Sequence, residues 1–293
     1  MPLKNFIKTV LTGDALDLVR DFDCNASDES DFEKLNHFLK NKALEYNNDS
    51  FSRTNIYSRD GICVAYYSLS MNAIKGKKID VEDEYRTLKS YPALFLTRFA
   101  IDKRYQRSGI GKAIINDIIY NAYRNREVAA RFLFVDANPR SVSWYLGNPL
   151  FTIMYIDLTE RMETCIESQI IKELNNRMIK GHGIDYVQKN DEQSNTLKLE
   201  WEKILIRHVN EIFNEIADDC CLIKECHAKV KLFIEDNKPK IELNNFNIKD
   251  NHKLIREWLG NRDNLLKLDI TIPLYLDINK YYKAVFTDSP KRF

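Results

Sequence analysis

Apolar positions in the first half of the chain switch between a helical period and a strand period. Residues 16–19 open a short helical stretch. Over 31–46, Phe32, Leu35, Leu39, Ala43 and Leu44 fall on one helical stripe, and Asp28, Glu29, Asp31 and Glu33 lie near its start, where negative charge suits the helix dipole. Residues 53–58 and 61–71 read as strands joined by a turn at Arg59-Asp60-Gly61, a hairpin signature. Residues 73–90 are polar and read as a solvated loop or short helix. After Tyr91-Pro92, the run 93–101 is a strand. Residues 109–124 follow as a helix with Ile110, Ile114, Ile118 and Ala122 on one face. A buried strand over 129–136 comes next. Asn138-Pro139-Arg140 then starts a helix that carries Trp144-Tyr145 and ends at Gly147-Asn148, and 151–158 returns as a strand. Alternation of strands and helices over 91–158 predicts an α/β sheet.

The pattern changes after residue 158. Residues 160–178 and 197–218 read as helices, the second with Leu199, Ile204, Val209, Ile212 and Ile216 near one face. Between them, 181–195 is a polar loop. Residues 221–235 and 240–248 read as strands around Asp236-Asn237-Lys238-Pro239, 251–266 as a helix, and 268–277 and 281–287 as strands. The expected organisation is an α/β domain over 1–158 and an α+β domain or elaboration over 159–293 of no assigned family.

Composition narrows the class. A chain of 293 residues exceeds one average domain and suggests two. No apolar run approaches the ~18 residues that span a membrane, so no membrane partner is expected. The first eleven residues hold two lysines but no long apolar core, unlike a signal peptide. Six scattered cysteines (Cys24, Cys63, Cys165, Cys220, Cys221, Cys226) fit buried thiols in a reducing, cytoplasmic setting better than a disulfide scaffold. Cys220-Cys221 with Cys226-His227 lacks a second clean ligand pair, and no metal site is assigned. Charge is uneven: 51–150 holds 16 basic and 9 acidic residues, a net of +7, although the whole chain is near neutral. That excess fits a site for a phosphate-bearing ligand, and an added nucleic-acid surface stays open.

The strongest chemical signal is Gln106-Arg107-Ser108-Gly109-Ile110-Gly111-Lys112, between the strand 93–101 and the helix 109–124. Backbone N–H groups at such a helix start, with the dipole behind them, hold an anion. Gly109 and Gly111 permit close approach, and Arg107 and Lys112 add charge. A Walker loop is excluded because Ala113 follows Lys112. A dinucleotide fingerprint is excluded because position 114 is Ile114 rather than Gly.

Gln-x-x-Gly-x-Gly after a strand resembles the acetyl-CoA loop of the GNAT acetyltransferase superfamily. More specifically, Asp21-Phe22-Asp23-Cys24, Phe38-Leu39-Lys40, Ser52-Arg53-Thr54 and 64–69 (Val-Ala-Tyr-Tyr-Ser-Leu) look like the N-terminal half of the GNAT toxins that acetylate aminoacyl-tRNA. The strand end Arg98-Phe99-Ala100-Ile101-Asp102, the segment Tyr105 to Gly111, and Trp144-Tyr145 continue the likeness over roughly 15–158. Two departures stand out. Arg107 replaces a common Gly, and the family is usually a single domain, which leaves 159–293 extra.

The resemblance implies a GNAT-type mixed sheet flanked by helices, of α/β (α+β) class, plus a C-terminal α+β extension. It implies acetyl-CoA as co-substrate, with no metal. Phe99, Ala100 and Ile101 would offer a strand edge to the pantetheine, and Gln106, Arg107, Ser108, Gly109, Ile110, Gly111 and Lys112 would hold the pyrophosphate. Asn138 is a further pantetheine contact or simply a helix N-cap, Arg98 a contact to donor or acceptor or the partner of an acidic neighbour, and Tyr145 the catalytic acid or an aromatic of the core. Residues 96–101 hold no Glu or Asp to serve as general base. An α-amine, neutral in substantial part near pH 8, therefore suits the site better than a lysine. The acceptor is a primary amine, with aminoacyl-tRNA as its most specific form and a protein or small amine, or a non-catalytic acyl-CoA module, as alternatives. The resemblance leaves an antitoxin partner and a homodimer open.

Overall fold

The computed structural model describes residues 3–25, 30–79, 88–181, 194–220, 223–224, 228–235, 238–246, 255, 257–259 and 270–287. Its chain divides into two compact units: 1–136 with 148–153 and 273–293, and 137–147 with 154–272.

In the first unit, β2 (Arg53–Arg59) and β3 (Ile62–Lys75) form the anticipated hairpin. Its two turn residues, Asp60 and Gly61, sit at φ 52° and 77°. A two-residue hairpin turn needs this left-handed geometry, and Asp-Gly tolerates it. β1 (Ile7–Val10), too short and too exposed to show an apolar period, pairs antiparallel with β2. β4 (Ser90–Ile101) pairs antiparallel with β3, and β5 (Phe132–Ala137) runs parallel to β4. β6 (Phe151–Ile153) ends the sheet, and Tyr155 already belongs to a helix, so the strand expected over 151–158 is cut short. The seventh strand is β9 (Ile272–Asp277), and the order is β1-β2-β3-β4-β5-β9-β6. β9 pairs antiparallel with β6 through Phe151↔Leu276, Thr152↔Tyr275 and Ile153↔Leu274. A strand from the far end of the sequence thus lies inside the sheet begun by the first 158 residues. The result is a mixed sheet flanked by helices, as the α/β reading expects.

Helices α1 (Leu16–Val19), α2 (Ser30–Asn41) and α3 (Ala43–Asn48) cover one face. The single helix expected over 31–46 breaks at Lys42, with φ −125° and ψ −24°. Val19, Phe22, Phe38, Leu39 and Ala43 pack there against Ile56, Tyr66 and Ala100. Asn47 is buried and joins three segments: its Nδ2 donates to Leu11 O (2.9 Å) and its Oδ1 accepts from Thr54 N (2.8 Å).

Helix α4 (Ile110–Arg124) lies on the opposite face and buries Ile110, Ile114, Ile115, Ile118 and Ile119. Each such side chain contributes about 1.5–3 kcal/mol of burial before entropy is counted. Asp117 fixes the helix rotation by accepting from the Tyr57 hydroxyl at 2.7 Å and from Lys8 Nζ. Burial, and then the bond to Asp117, pushes the Tyr57 phenol upward. Residues 281–287, expected as a strand, are helical: α8 (Ile278–Tyr282) continues as a wider turn over 283–287. The Asp277 side chain accepts from Lys280 N (3.0 Å), and this cap outweighs the β-propensity of the tyrosines.

In the second unit, α5 (Val142–Leu146) precedes the long helices α6 (Tyr155–Gly181) and α7 (Ser194–Asp219). Leu158, Met162, Ile166, Ile170 and Leu174 are fully buried at four-residue spacing along α6. Arg177 of α6 bonds Glu173 and reaches Glu215 of α7 at 2.6 Å. β7 (Lys229–Glu235) and β8 (Lys238–Asn244) form a separate hairpin. Part of its expected turn, the helix expected over 251–266 in large part, and Cys221, Cys226 and His227 lie outside the described residues. Cys24 and Cys63 are free and buried, and burial pushes both thiols up to about 12.

Candidate functional site

The parallel ladder between β4 and β5 consists of Ala93↔Phe132, Leu94↔Leu133 and Phe95↔Phe134. β4 continues to Ile101 against β3 alone, through Arg98↔Ser68, Phe99↔Tyr67, Ala100↔Tyr66 and Ile101↔Ala65. The parting coincides with a bulge: Ser68 pairs Arg98, but Leu69 pairs Leu96, which leaves Thr97 as the extra residue. The Thr97 hydroxyl donates to Ser68 O at 3.1 Å. Such a bulge bends its strand and ends pairing on one side. Because Asp102 N bonds Val64 O (2.8 Å), alternation along β4 turns the backbone groups of Phe99 and Ile101 toward the open side. An extended ligand with amide groups can pair there as an added strand.

Beyond β4, the chain is held by a buried carboxylate. Asp102 accepts from Arg104 N (3.0 Å), Arg104 Nε (2.7 Å), Arg104 Nη2 (2.8 Å) and Asp23 N (3.1 Å). Burial, the largest influence, pushes its carboxyl up, but these donors outweigh it and the net direction is downward. Asp23 bonds Lys103 first, then Asn25 N and Asn36, and is held down to about 2. Both folded values lie below the unfolded one. The stability they contribute is therefore present above about pH 4 and lost as pH falls toward about 2. Melting temperature should drop across that window, and the Asp102→Asn, Asp23→Asn double variant should show a flatter acid limb. Asp102→Ala should by itself cost about 3 kcal/mol, because it leaves Arg104 and the Asp23 N–H without their shared acceptor.

The glycine turn follows. Gln106 Nε2 donates to Cys24 O (2.9 Å) and Ile101 O (3.0 Å), so this side chain ties the turn to the end of β4. Ser108 Oγ donates to Tyr105 O. Arg107 and Gly109 have φ of 59° and 83°, and Gly109 is the N-cap of α4. The first intrahelical bond runs from Ala113 N to Gly109 O (3.2 Å). The N–H groups of Gly109, Ile110, Gly111 and Lys112 therefore stand at the helix start without an intrahelical acceptor. Arg107, Ser108 and Lys112 are exposed around them, whereas Ile110 and Gly111 are buried. The structure thus brings Phe99, Ala100, Ile101 and Gln106 through Lys112 together at one end of β4. Nothing lies within 4 Å of where a Gly109 Cβ would stand, so a side chain there meets backbone strain alone. Gly109→Val should cost about 1–3 kcal/mol of stability and deform the turn. Thermal melts of the variant and of the wild type measure that cost.

Asn138 and Tyr145 belong to the second compact unit. Asn138 Oδ1 accepts from Arg140 N (3.0 Å), and its carbonyl accepts from Ser141 N and Oγ (2.8 and 2.9 Å). Helix α5 therefore starts at Val142, later than the Asn138-Pro139-Arg140 signal suggests. Tyr145 is buried and burial raises its phenol; Trp144 beside it is 46% exposed, with the rings edge to face at 4.8 Å. Sequence reasoning missed the Asp102 clamp and the Thr97 bulge. The Asp-Lys-Arg run 102–104 was a visible signal for the first, and the second leaves none. Among the described residues, no group of His, Cys, Asp and Glu could hold a metal ion, and no helix is long and apolar enough to cross a membrane.

A strand that parts from its parallel neighbour runs here into a glycine-capped helix start, whose N–H groups can hold an anion. Residues 17–147 match the model of the Acetyltransferase (GNAT) family. Solved structures similar to the chain include AtaT complexed with acetyl-methionyl-tRNAfMet, at 22% identity and TM-score 0.42, covering 50% of this chain and 86% of that one. A KacT mutant is 22% identical at TM-score 0.43, covering 49% and 85%, and AtaTR bound with AcCoA is 23% identical at 0.40, covering 49% and 84%. No curated protein matches the chain.

Proposed function

We propose that the chain is an acetyl-CoA-dependent N-acetyltransferase acting on a primary α-amine, with aminoacyl-tRNA as the acceptor. The observation that carries the donor half is the open edge of β4 leading directly into the Gly109 turn. Phe99 and Ile101 would pair with the pantetheine amides. The N–H groups of 109–112, with Arg107 and Lys112, would hold the pyrophosphate. Asn138 is a further pantetheine contact. In the reaction, the amine nitrogen attacks the thioester carbonyl carbon, a C–N bond forms, and the C–S bond breaks. Tyr145 donates its phenolic proton, or a hydrogen bond, to the departing sulfur. The acceptor half rests on the sequence motifs shared with aminoacyl-tRNA-acetylating toxins and on the lack of a carboxylate within 96–101. A cytoplasmic site of action and an antitoxin partner belong to the same proposal.

The test is incubation with labelled acetyl-CoA and separate pools of charged tRNA, cell proteins and small amines. Label in the charged tRNA is the expected result. Label confined to proteins or small amines would replace the acceptor. A null in all three pools, with acetyl-CoA still raising the melting temperature, would leave a non-catalytic acyl-CoA-binding module.

A further inference from the structure

A cluster of rings at the far end of α4 stands outside every role described above. Tyr120 and Tyr123 lie in the last turns of α4, and Tyr282 and Phe286 come from α8 and the turn after it. The Tyr123 and Tyr282 rings stack, with centroids 3.7 Å apart and planes at 10°. Phe286 lies 5.0 Å from Tyr282 and 5.5 Å from Tyr120, and the Arg124 guanidinium lies 5.9 Å from the Tyr120 ring. All five side chains belong to the first compact unit. Tyr282 and Phe286 fall outside residues 17–147, so the cluster is not contained in the segment that matches the family model.

Packing α8 against α4 does not use up these rings. Tyr120 is 39% and Tyr123 41% exposed. Tyr282 covers one face of the Tyr123 ring, so the exposed area of Tyr123 lies on its other face and edge. An exposed aromatic face is a platform on which a planar group can stack. The charge beside it selects that group. Residues 120–130 and 278–287 hold Arg124, Arg126, Lys280 and Lys283 against Glu127 alone, a net of +3, and all five are exposed. Nucleic-acid bases stack on rings while their phosphates sit on cations, whereas an apolar protein partner would gain nothing from the four positive charges. The phenolic hydroxyls of Tyr120, Tyr123 and Tyr282 can each bond a ribose 2′-hydroxyl, a group that DNA lacks.

We propose that this face binds single-stranded RNA, with a base stacked on Tyr123 and the neighbouring phosphates on Arg124, Arg126 and Lys280. Tyr282 and Phe286 back the stacking ring, and Arg124 serves both the Tyr120 ring and a phosphate. The face lies at the end of α4 away from the Gly109 turn, on a helix of 15 residues, about 20 Å long. RNA held there leaves the turn itself free. The binding needs no acetyl transfer and stands whether or not the chain labels an amine.

The test is fluorescence anisotropy of the whole chain with a labelled, unstructured oligoadenylate, and with the DNA oligomer of the same sequence. Wild type should bind the RNA, and more tightly than the DNA. Tyr123→Ala should raise Kd about 5- to 100-fold, the worth of one stacked base, while Tyr123→Phe stays within about threefold of wild type. Arg124→Gln and Arg126→Gln should each flatten the slope of log Kd against log salt by about 0.7. These arginine variants leave the ring packing in place, so they decide the matter even where Tyr123→Ala melts early. Excess acetyl-CoA should not displace the RNA. A wild type that binds no oligomer, an RNA affinity no greater than that for DNA, or slopes unmoved by both arginine variants would overturn the assignment. Displacement by acetyl-CoA would move the RNA to the glycine turn. A concentration-dependent dimer that Tyr123→Ala abolishes, without RNA binding, would give the face to a second copy of the chain instead.

Discussion

Tyr145→Phe should reduce kcat about 100- to 1000-fold while acetyl-CoA still raises the melting temperature by nearly the wild-type amount. The substitution removes one oxygen from a buried ring and keeps the ring's packing beside Trp144. Burial pushes the phenol above its ordinary value, so the proton stays on oxygen throughout the physiological range. Wild-type rates should therefore show no alkaline fall from this group below about pH 10. A thiol is more acidic than such a phenol. Tyr145 would therefore act chiefly by hydrogen-bonding sulfur as negative charge builds there, and would pass its proton only late. An effect confined to KM for acetyl-CoA would reassign Tyr145 to binding. A fall in melting temperature of the size expected for a lost core residue would reassign it to packing.

A chain cut after residue 158 should fail to give a stable monomer, although the cut falls at the boundary the sequence suggests. It keeps β1 through β6 but loses β9, which pairs with β6 and stands between β6 and β5. Two inward-facing strands would be left with unpaired edges, a ready template for aggregation. It also loses Tyr281, which is buried and donates to Asn116 of α4, and Asp277, which bonds Arg131 at 2.9 Å. A chain that keeps 1–153 and joins it to 272–287 through a short flexible linker should recover a cooperative melt. Equal stability of the 1–158 chain and the full chain would show that β9 is dispensable.

Elements with a strong apolar period or a turn signal were legible in the sequence: the 59–61 hairpin, β4, α4 and the two long helices all stand close to where the pattern puts them. The glycine turn was legible because its residues are chemically marked and adjacent. The parting of β4 from β5 was not, since a bulge at Thr97 depends on register against a partner strand and leaves no local sign. Residues 281–287 misled because tyrosine and valine favour strands, whereas a single capping bond from Asp277 decides for helix. The position of β9 was illegible because it rests on pairing between residues more than a hundred positions apart.

That long-range pairing has a consequence for synthesis. The sheet that carries the glycine turn is begun by residues 7–10 and completed by residues 272–277, which are made much later. While the intervening 118 residues of 154–271 emerge, β5 and β6 must wait with open edges. At roughly 5–20 residues per second, this exposed interval lasts about 6–24 s, long compared with hairpin formation. A chaperone that shields strand edges should therefore raise the yield of folded chain more than it would for a version permuted so that β9 follows β6 directly. The sheet beneath the glycine turn becomes complete only once β9 has been made, so a ribosome-bound fragment lacking β9 should bind the proposed acetyl-CoA ligand weakly.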